Sequence, residues 1–155
     1  MVRLPGGGAR PHPPELRIER VRDVAALRAW EATLADGFPF EEVAAAGPGS
    51  MLDERVLAEE RLRLFLGRVD DRPVATSAVV LDAGVNGVTT VATLPGARGR
   101  GYGEALTWAA TLAAPELPAV LLASDLGRPV YERMGYLVLV RTTLWHRERP
   151  VAGWA

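Results

Sequence analysis

The stretch "TLPGARGRGYGEAL", residues 93–106, constrains this chain more than any other. Gly96, Gly99, Gly101 and Gly103 are interspersed with Arg98 and Arg100, behind Pro95. A β-branched run, "GVTTVATL" (87–94), precedes it, and "GEALTWAATLAA" (103–114) follows. The first run reads as a central strand, and the second as a helix with Leu106, Ala109, Ala110 and Ala113 on one face. A loop between a strand and a helix N-terminus presents free N–H groups and the positive end of a dipole. Glycines let a ligand approach the backbone and allow positive φ. The stretch therefore reads as a cradle for phosphate, more specifically for a diphosphate.

Two common cradles do not fit. A P-loop has G-x-x-x-x-G-K-[ST]; Gly96 and Gly101 have the spacing, but Tyr102 and Gly103 stand where Lys and Ser/Thr belong. The dinucleotide fingerprint G-x-G-x-x-G fails at Glu104 when counted from Gly99 and at Leu106 when counted from Gly101. Its strand–loop–helix unit should also come first, whereas three predicted strands precede this unit.

The rest of the chain is read around that unit. Residues 1–14 are rich in Gly and Pro without periodicity, and are expected to be a disordered lead. "ELRIERV" (15–21) alternates like a strand, and Asp23 is placed to cap a helix that Gly37 stops. A second short helix is expected from near Glu41 to Gly47-Pro48, and helical character again over 52–61. "LRLFLGRV" (62–69), the turn "DDRP" and "VATSAVVLDA" (74–83) form a hairpin. "AVLLAS" (119–124) is wholly apolar, as in a parallel strand buried on both faces. "GRPVYERMG" is a short helix with Pro129 near its start and Gly135 past its end. "YLVLVRTTLWHRE" predicts one long or two bent strands, before a tail over 147–155. The sum is α+β: a mostly antiparallel mixed sheet of six to seven strands with one βαβ crossover, flanked by helices.

Composition excludes several chemistries. The 155 residues suit one domain, and 48% hydrophobic content suits a real core. A net charge of −1 gives no sign of nucleic-acid binding. Cysteine is absent, which removes disulfides, thiolate metal sites and a Cys nucleophile. His12 and His146 are the only histidines, too few for a His metal cluster and adverse to a Ser-His-Asp triad, so no metal is expected. No apolar run approaches the ~20 residues of a membrane span, and residues 1–15 lack a signal's apolar core. A cytoplasmic location is the expectation. All 18 basic residues are Arg, a skew that looks like a GC-rich, bacterial-like genome.

One pattern does fit the loop. Arg98, Gly101 and Gly103 spell R-x-x-G-x-G after a strand ending "VATLP". This resembles the acyl-CoA-binding motif of the GCN5-related N-acetyltransferase (GNAT) family. "SDLGRPVYERMGY" (124–136) is similar to that family's Asn-x-x-Ala-x-x-Leu-Tyr-x-x-x-Gly-Phe pattern. Ser124 stands for the Asn, Gly127 for the Ala, Val130 for the Leu and Tyr136 for the Phe; Tyr131 and Gly135 match. The likeness spans about residues 15–146, and both motifs fall in order on the predicted elements.

The resemblance implies the acyl-CoA N-acyltransferase fold and acetyl-CoA as cosubstrate. It implies that Val91, Ala92 and Thr93 offer strand-edge groups to the pantetheine arm, where the strand pair splays apart. It implies that the amides of Arg98, Gly99, Arg100, Gly101, Tyr102 and Gly103 receive the pyrophosphate, with Ser124 near the cofactor. The N–H near Val91 would polarise the thioester carbonyl, and Tyr131 would stand as general acid. A phenol (pKa about 10) stays protonated at neutral pH and can serve a departing thiolate (thiol pKa about 8.5). The amine must be neutral: a lysine-like amine is so in about 0.04% of molecules at pH 7, an α-amine in roughly 15%. The family often uses a strand Glu as base, which "GVTTVATL" lacks. Asp82 is the nearest candidate, with Glu41 and Glu42 as others; Thr89 and Thr90 offer instead to order a water. Trp30, Phe38, Thr89 and Thr90 are the expected walls of the acceptor pocket, with Phe40 and Met51 nearby. His146 reads as a surface residue, and Trp145 and Trp154 as cover for an edge or a dimer contact.

The expected activity is acetyl transfer from acetyl-CoA to a primary amine, of a small molecule, a peptide N-terminus or a side chain, by direct attack in a ternary complex. The alternative is a catalytically silent acyl-CoA-binding or regulatory module, which the missing strand carboxylate and Ser124 motivate. Edge strands near the C-terminus make a homodimer a further expectation.

Overall fold

The computed structural model describes residues 1–8, 11–38, 49–143 and 145. Its six-stranded sheet comprises β1 (Val2–Arg3), β2 (Arg17–Arg20), β3 (Leu62–Val69), β4 (Arg72–Asp82), β5 (Val85–Thr93) and β6 (Ala119–Val120). Three α-helices are described: α1 (Val24–Gly37), α2 (Tyr102–Thr111) and α3 (Arg128–Arg133). The strand order is β1-β6-β5-β4-β3-β2. Every pairing is antiparallel except β5 with β6, which α2 connects in parallel. This is the α+β arrangement expected from the sequence.

Strand alternation sends successive side chains to opposite faces. Leu64 and Leu66 of β3 and Ala78 of β4 pack with Leu27, Trp30 and Leu34 of α1. Val79 packs with Trp108 and Ala110 of α2, and Ala75 with Ala105 and Leu106, on the other face. β4 is therefore buried from Ala75 to Val79 without a break. At Gly67 a Cβ would meet Leu106 Cδ2 at 2.8 Å, so the glycine is what lets α2 lie this close to β3.

A local signal sets the start of α1. Asp23 caps it by accepting from the Ala26 amide at 2.8 Å, as its position predicts. Expected helicity over 52–61 resolves to a 3-10 turn, Glu54–Ala58, capped by Asp53. The second helix expected near Glu41 lies outside the described residues.

The structure differs from expectation at both termini. Val2–Arg3, within a lead expected to be disordered, forms β1 on the outer edge of β6. Arg3 holds it there: its Nε donates to the Met134 carbonyl at 3.0 Å, and its guanidinium stacks over Trp108 at 4.8 Å. Among the described residues, the predicted strand or strands from Tyr136 onward show one bridge, Leu137 with Val2. Beyond it, 138–143 carry no ladder, and Leu139 and Val140 remain exposed. The apolar run 119–124 is paired only at Ala119 and Val120, because its course departs from β5 there.

Candidate active site

That departure creates the site. β5 and β6 are in register only at Asn86 with Ala119 and Gly87 with Val120. β5 runs on to Thr93, so its edge from Val88 onward has no strand partner on the β6 side. A cleft of about 300 Å³ occupies the opening, between Val91 and Thr93 of β5, the glycine loop, Thr107 of α2 and Tyr131 of α3.

The loop is shaped for an anion. Gly99 and Gly101 have φ of +76° and +81°, values that L side chains rarely adopt. Gly101 is the N-cap of α2, and Gly101 to Glu104, which hold the start of the helix, line the cleft. Among the described residues, the backbone N–H groups of Gly99 to Glu104 have no acceptor. At Gly103 a Cβ would press on Thr93 Oγ1 at 3.1 Å, so the missing side chain keeps the cradle open. A run of unpartnered amides at a helix start fits a diphosphate.

The arginines divide their work. Arg98 is turned back on the protein: Nε donates to the Thr93 carbonyl at 3.2 Å and Nη2 to the Gly37 carbonyl at 3.1 Å. Its guanidinium braces the loop against β5 and α1. Arg100 is exposed; the pKa of the nearby Glu15 is lowered chiefly by a backbone hydrogen bond and by the Tyr102 hydroxyl, with the Arg100 charge adding least. Tyr102 contributes only its amide to the cradle, because its ring is buried and its hydroxyl donates to Glu15 at 2.9 Å. That bond ties the start of α2 to the segment before β2.

Tyr131 lies on the opposite bank. Its ring meets Tyr136 edge-on, with centroids 6.0 Å apart. Its hydroxyl has no hydrogen-bond partner among the described residues. Burial pushes its pKa above the ordinary 10.0, so it is a neutral proton donor at physiological pH. Ser124 Oγ accepts from the Gly127 amide at 3.1 Å and sets the turn into α3. Gly127 lies under the Tyr131 ring, where a Cβ would be 3.0 Å from Cε2.

A second pocket, about 760 Å³, adjoins the cleft and shares Val91 and Tyr131 with it. Phe38, Thr89, Thr90 and Ser124 line it, as do Leu121, Leu122, Leu139 and Val140. Two expected residues are not there. Trp30 is buried in the core beneath α1, its Nε1 donating to the Ser77 carbonyl at 3.2 Å. Asp82 ends β4 at the hairpin turn, exposed and 3.6 Å from Arg61, outside both cavities. Ala92 is on the cleft strand, but its side chain is in the core under α1. Glu41, Glu42, Phe40, His146 and Trp154 lie outside the described residues.

One feature escaped the sequence reading. Thr76 pairs with Ala92 and Ala78 with Thr89, which leaves Thr90 and Val91 together opposite Ser77. Thr90 adopts φ +47°, an outlier for a β-branched residue. Its carbonyl accepts from Thr76 Oγ1 at 3.1 Å, while its own Oγ1 is buried without a partner. This bulge re-aims the backbone at Val91, where the two cavities meet. Nothing in the residue type announces it, since Thr is among the least expected occupants of that conformation.

A sequence model of the acetyltransferase (GNAT) family matches residues 25–136. The chain belongs to that family. A GCN5-related N-acetyltransferase from Kribbella flavida superposes with a TM-score of 0.65 at 25% identity, over 88% of this chain and 52% of that one. The chain thus spans about half the length of that relative. A predicted acetyltransferase from Clostridium acetobutylicum, solved with acetyl-CoA, shares the fold with a TM-score of 0.60 at 19% identity, over 86% of this chain and 96% of its own. An aminoglycoside acetyltransferase from an uncultured soil metagenomic sample has a TM-score of 0.65 at 18% identity, over 88% and 99% of the two chains. A search of curated proteins finds no match. Among the described residues there is no cluster of His, Cys, Asp or Glu arranged for a metal ion, and no helix long and apolar enough to cross a membrane.

Proposed function

We propose that this protein transfers the acetyl group of acetyl-CoA to a primary amine by direct attack in a ternary complex. The observation that carries the reading is the cleft itself: one opening joins the unpartnered amides of Gly99–Glu104 to the free hydroxyl of Tyr131. Acetyl-CoA supplies an activated thioester. The chain's residues do the rest. The loop amides and the α2 dipole hold the diphosphate. The open edge of β5 pairs with the pantetheine amides, and the Val91 N–H, turned by the Thr90 bulge, donates to the thioester oxygen. Tyr131 gives its proton toward the sulfur. The amine nitrogen gains a bond to the acyl carbon as the C–S bond breaks. Net, one proton passes from nitrogen to sulfur.

Tyr131→Phe tests this assignment. A general acid contributes roughly 10²–10⁴-fold to rate, so kcat should fall about a hundredfold or more, while acetyl-CoA affinity by calorimetry holds. Unchanged kcat would remove Tyr131 from the mechanism. Titration with CoA and 3′-dephospho-CoA tests the cradle; no binding by folded protein would reduce the loop to a turn.

The position of Asp82 favours a second reading, a binding module without transfer. No carboxylate belonging to β4 or β5 reaches either cavity. That reading predicts acetyl-CoA affinity with no thiol release for any amine.

A further inference from the structure

The pocket beside the cleft carries chemical information about what enters it. Among the described residues its lining contains no Asp, Glu, Arg or His. Valines and leucines dominate, from β4, β5, the β6 segment and the run after Tyr136. Its outer rim is formed by Leu122, Leu139 and Val140, which are 75%, 66% and 68% exposed. Exposed leucines and valines concentrated at the mouth of a cavity that opens onto a reactive centre mark a binding surface. Continuity with the cleft through Val91 and Tyr131 identifies its occupant as the molecule that meets the acetyl group.

We propose that the acceptor is an apolar monoamine, an alkyl or arylalkyl primary amine, whose ammonium these walls desolvate and so help to deprotonate. This rests on the acetyltransferase reading above. Two arguments converge. A polycation such as an aminoglycoside or polyamine needs carboxylates for ammonium groups that do not react; bringing them unpaired against these walls is unfavourable. Desolvation also disfavours a charged amine and lowers its pKa, by up to several units when burial is complete. A fall of about two units raises the neutral fraction of an amine of pKa near 10 about a hundredfold at pH 7. Among the described lining residues no carboxylate stands as base, and desolvation supplies neutral amine without one, provided the rest of the acceptor is apolar enough to enter. The volume, about 760 Å³, accommodates an aromatic ring and its ethylamine arm with room to spare.

The test is steady-state thiol release by the full chain at saturating acetyl-CoA. Its acceptors are 2-phenylethylamine, hexylamine, spermidine and kanamycin, and acetyl-CoA binding is measured separately by calorimetry. The expected result is kcat/KM for 2-phenylethylamine at least about tenfold above either polycation, the scale on which apolar pockets discriminate. The pH profile of kcat should break at least about one unit below the amine's own pKa. Leu122→Asp, at an exposed position that tolerates charge, should narrow the preference about tenfold. A preference for spermidine or kanamycin overturns the acceptor class and leaves acetyl transfer standing. Stronger turnover with hexanoyl-CoA than acetyl-CoA overturns it too, because the pocket would then hold the acyl chain. Acetyl-CoA binding without transfer to any of the four also overturns it, in favour of the binding module. No acetyl-CoA binding removes the acetyltransferase reading and the inference together.

Discussion

Gly127 occupies the place where the family pattern has alanine, and the structure gives it a reason. A Cβ there would lie 3.0 Å from Tyr131 Cε2 and 3.4 Å from Ser124 Oγ. The ring would have to move by a few tenths of an ångström, away from the position where its hydroxyl meets the cleft. Gly127 itself has an ordinary helical backbone, φ −79° and ψ −29°, so alanine would also lower the entropy of the unfolded chain. The two effects point in different directions. Gly127→Ala should leave thermal stability within about 1 kcal/mol of the parent or above it, while kcat falls several-fold and acetyl-CoA affinity changes less. A variant with parent kcat would show that Tyr131 has slack in its seat. Residues of this kind were legible in the sequence when their chemistry is local. Asp23 acts within three residues of itself, and Gly99 and Gly101 announce their positive φ by being glycine. Thr90 was not legible, because its strain is imposed by the register of β4 against β5. Trp30 was not either: an indole on a helix face packs into a core or walls a pocket according to what the sheet places opposite.

At the scale of elements, Glu31 couples α1 to the chain that returns at residue 49. Its carboxylate is 1% exposed yet fully occupied: Oε2 accepts from Arg28 at 2.9 Å and from the Gly49 amide at 2.7 Å, and Oε1 from the Leu52 amide at 2.8 Å. Burial alone would raise its pKa, but the Arg28 bond and the two amides outweigh burial, and the net shift is below 4.5. A carboxyl whose folded pKa is depressed stabilises the fold fully above its unfolded value. That contribution disappears as pH falls through the lower, folded value. Glu31→Gln should cost about 2 kcal/mol at neutral pH, the scale of losing charged hydrogen bonds in the interior. The gap between parent and variant should hold from pH 7 down to about 5 and narrow progressively as pH falls through the depressed folded value. Denaturant midpoints across that range measure it; a gap that persists undiminished well below pH 4 would mean that packing, not charge, is what the glutamine disturbs. The same scale shows why β1 was illegible. Two residues beside a Gly/Pro-rich stretch carry no period, and their strand exists because Arg3 reaches Met134 and Trp108, both more than a hundred positions away.

At the scale of the molecule, the site is built across a weak seam inside the sheet. β3 and β4 pair over eight residues and β4 and β5 over nearly as many, whereas β6 is joined to β5 by two register pairs. The cleft takes Val91 and Thr93 from one side of the seam and Gly127 and Tyr131 from the other. A ligand spanning it supplies contacts that the sheet does not. Acetyl-CoA at a hundred times its dissociation constant should add about 2.7 kcal/mol of stability. For a domain of this size that is a rise of roughly 5–11 °C in Tm. Amide exchange should slow in two places at once: at the loop amides of 98–105, and in 119–136, which touches the ligand only from the far bank. Gly101→Ala separates the causes. An L side chain at φ +81° costs about 1–2 kcal/mol in the free protein, and relief of that strain would reorient the α2 amides. Its baseline Tm should fall and its ligand-induced rise should shrink together. A full rise in Tm with protection confined to 98–105 would show that the ligand sits on one bank only; the opening between β5 and β6 would then be a feature of the fold and not the seat of the cosubstrate.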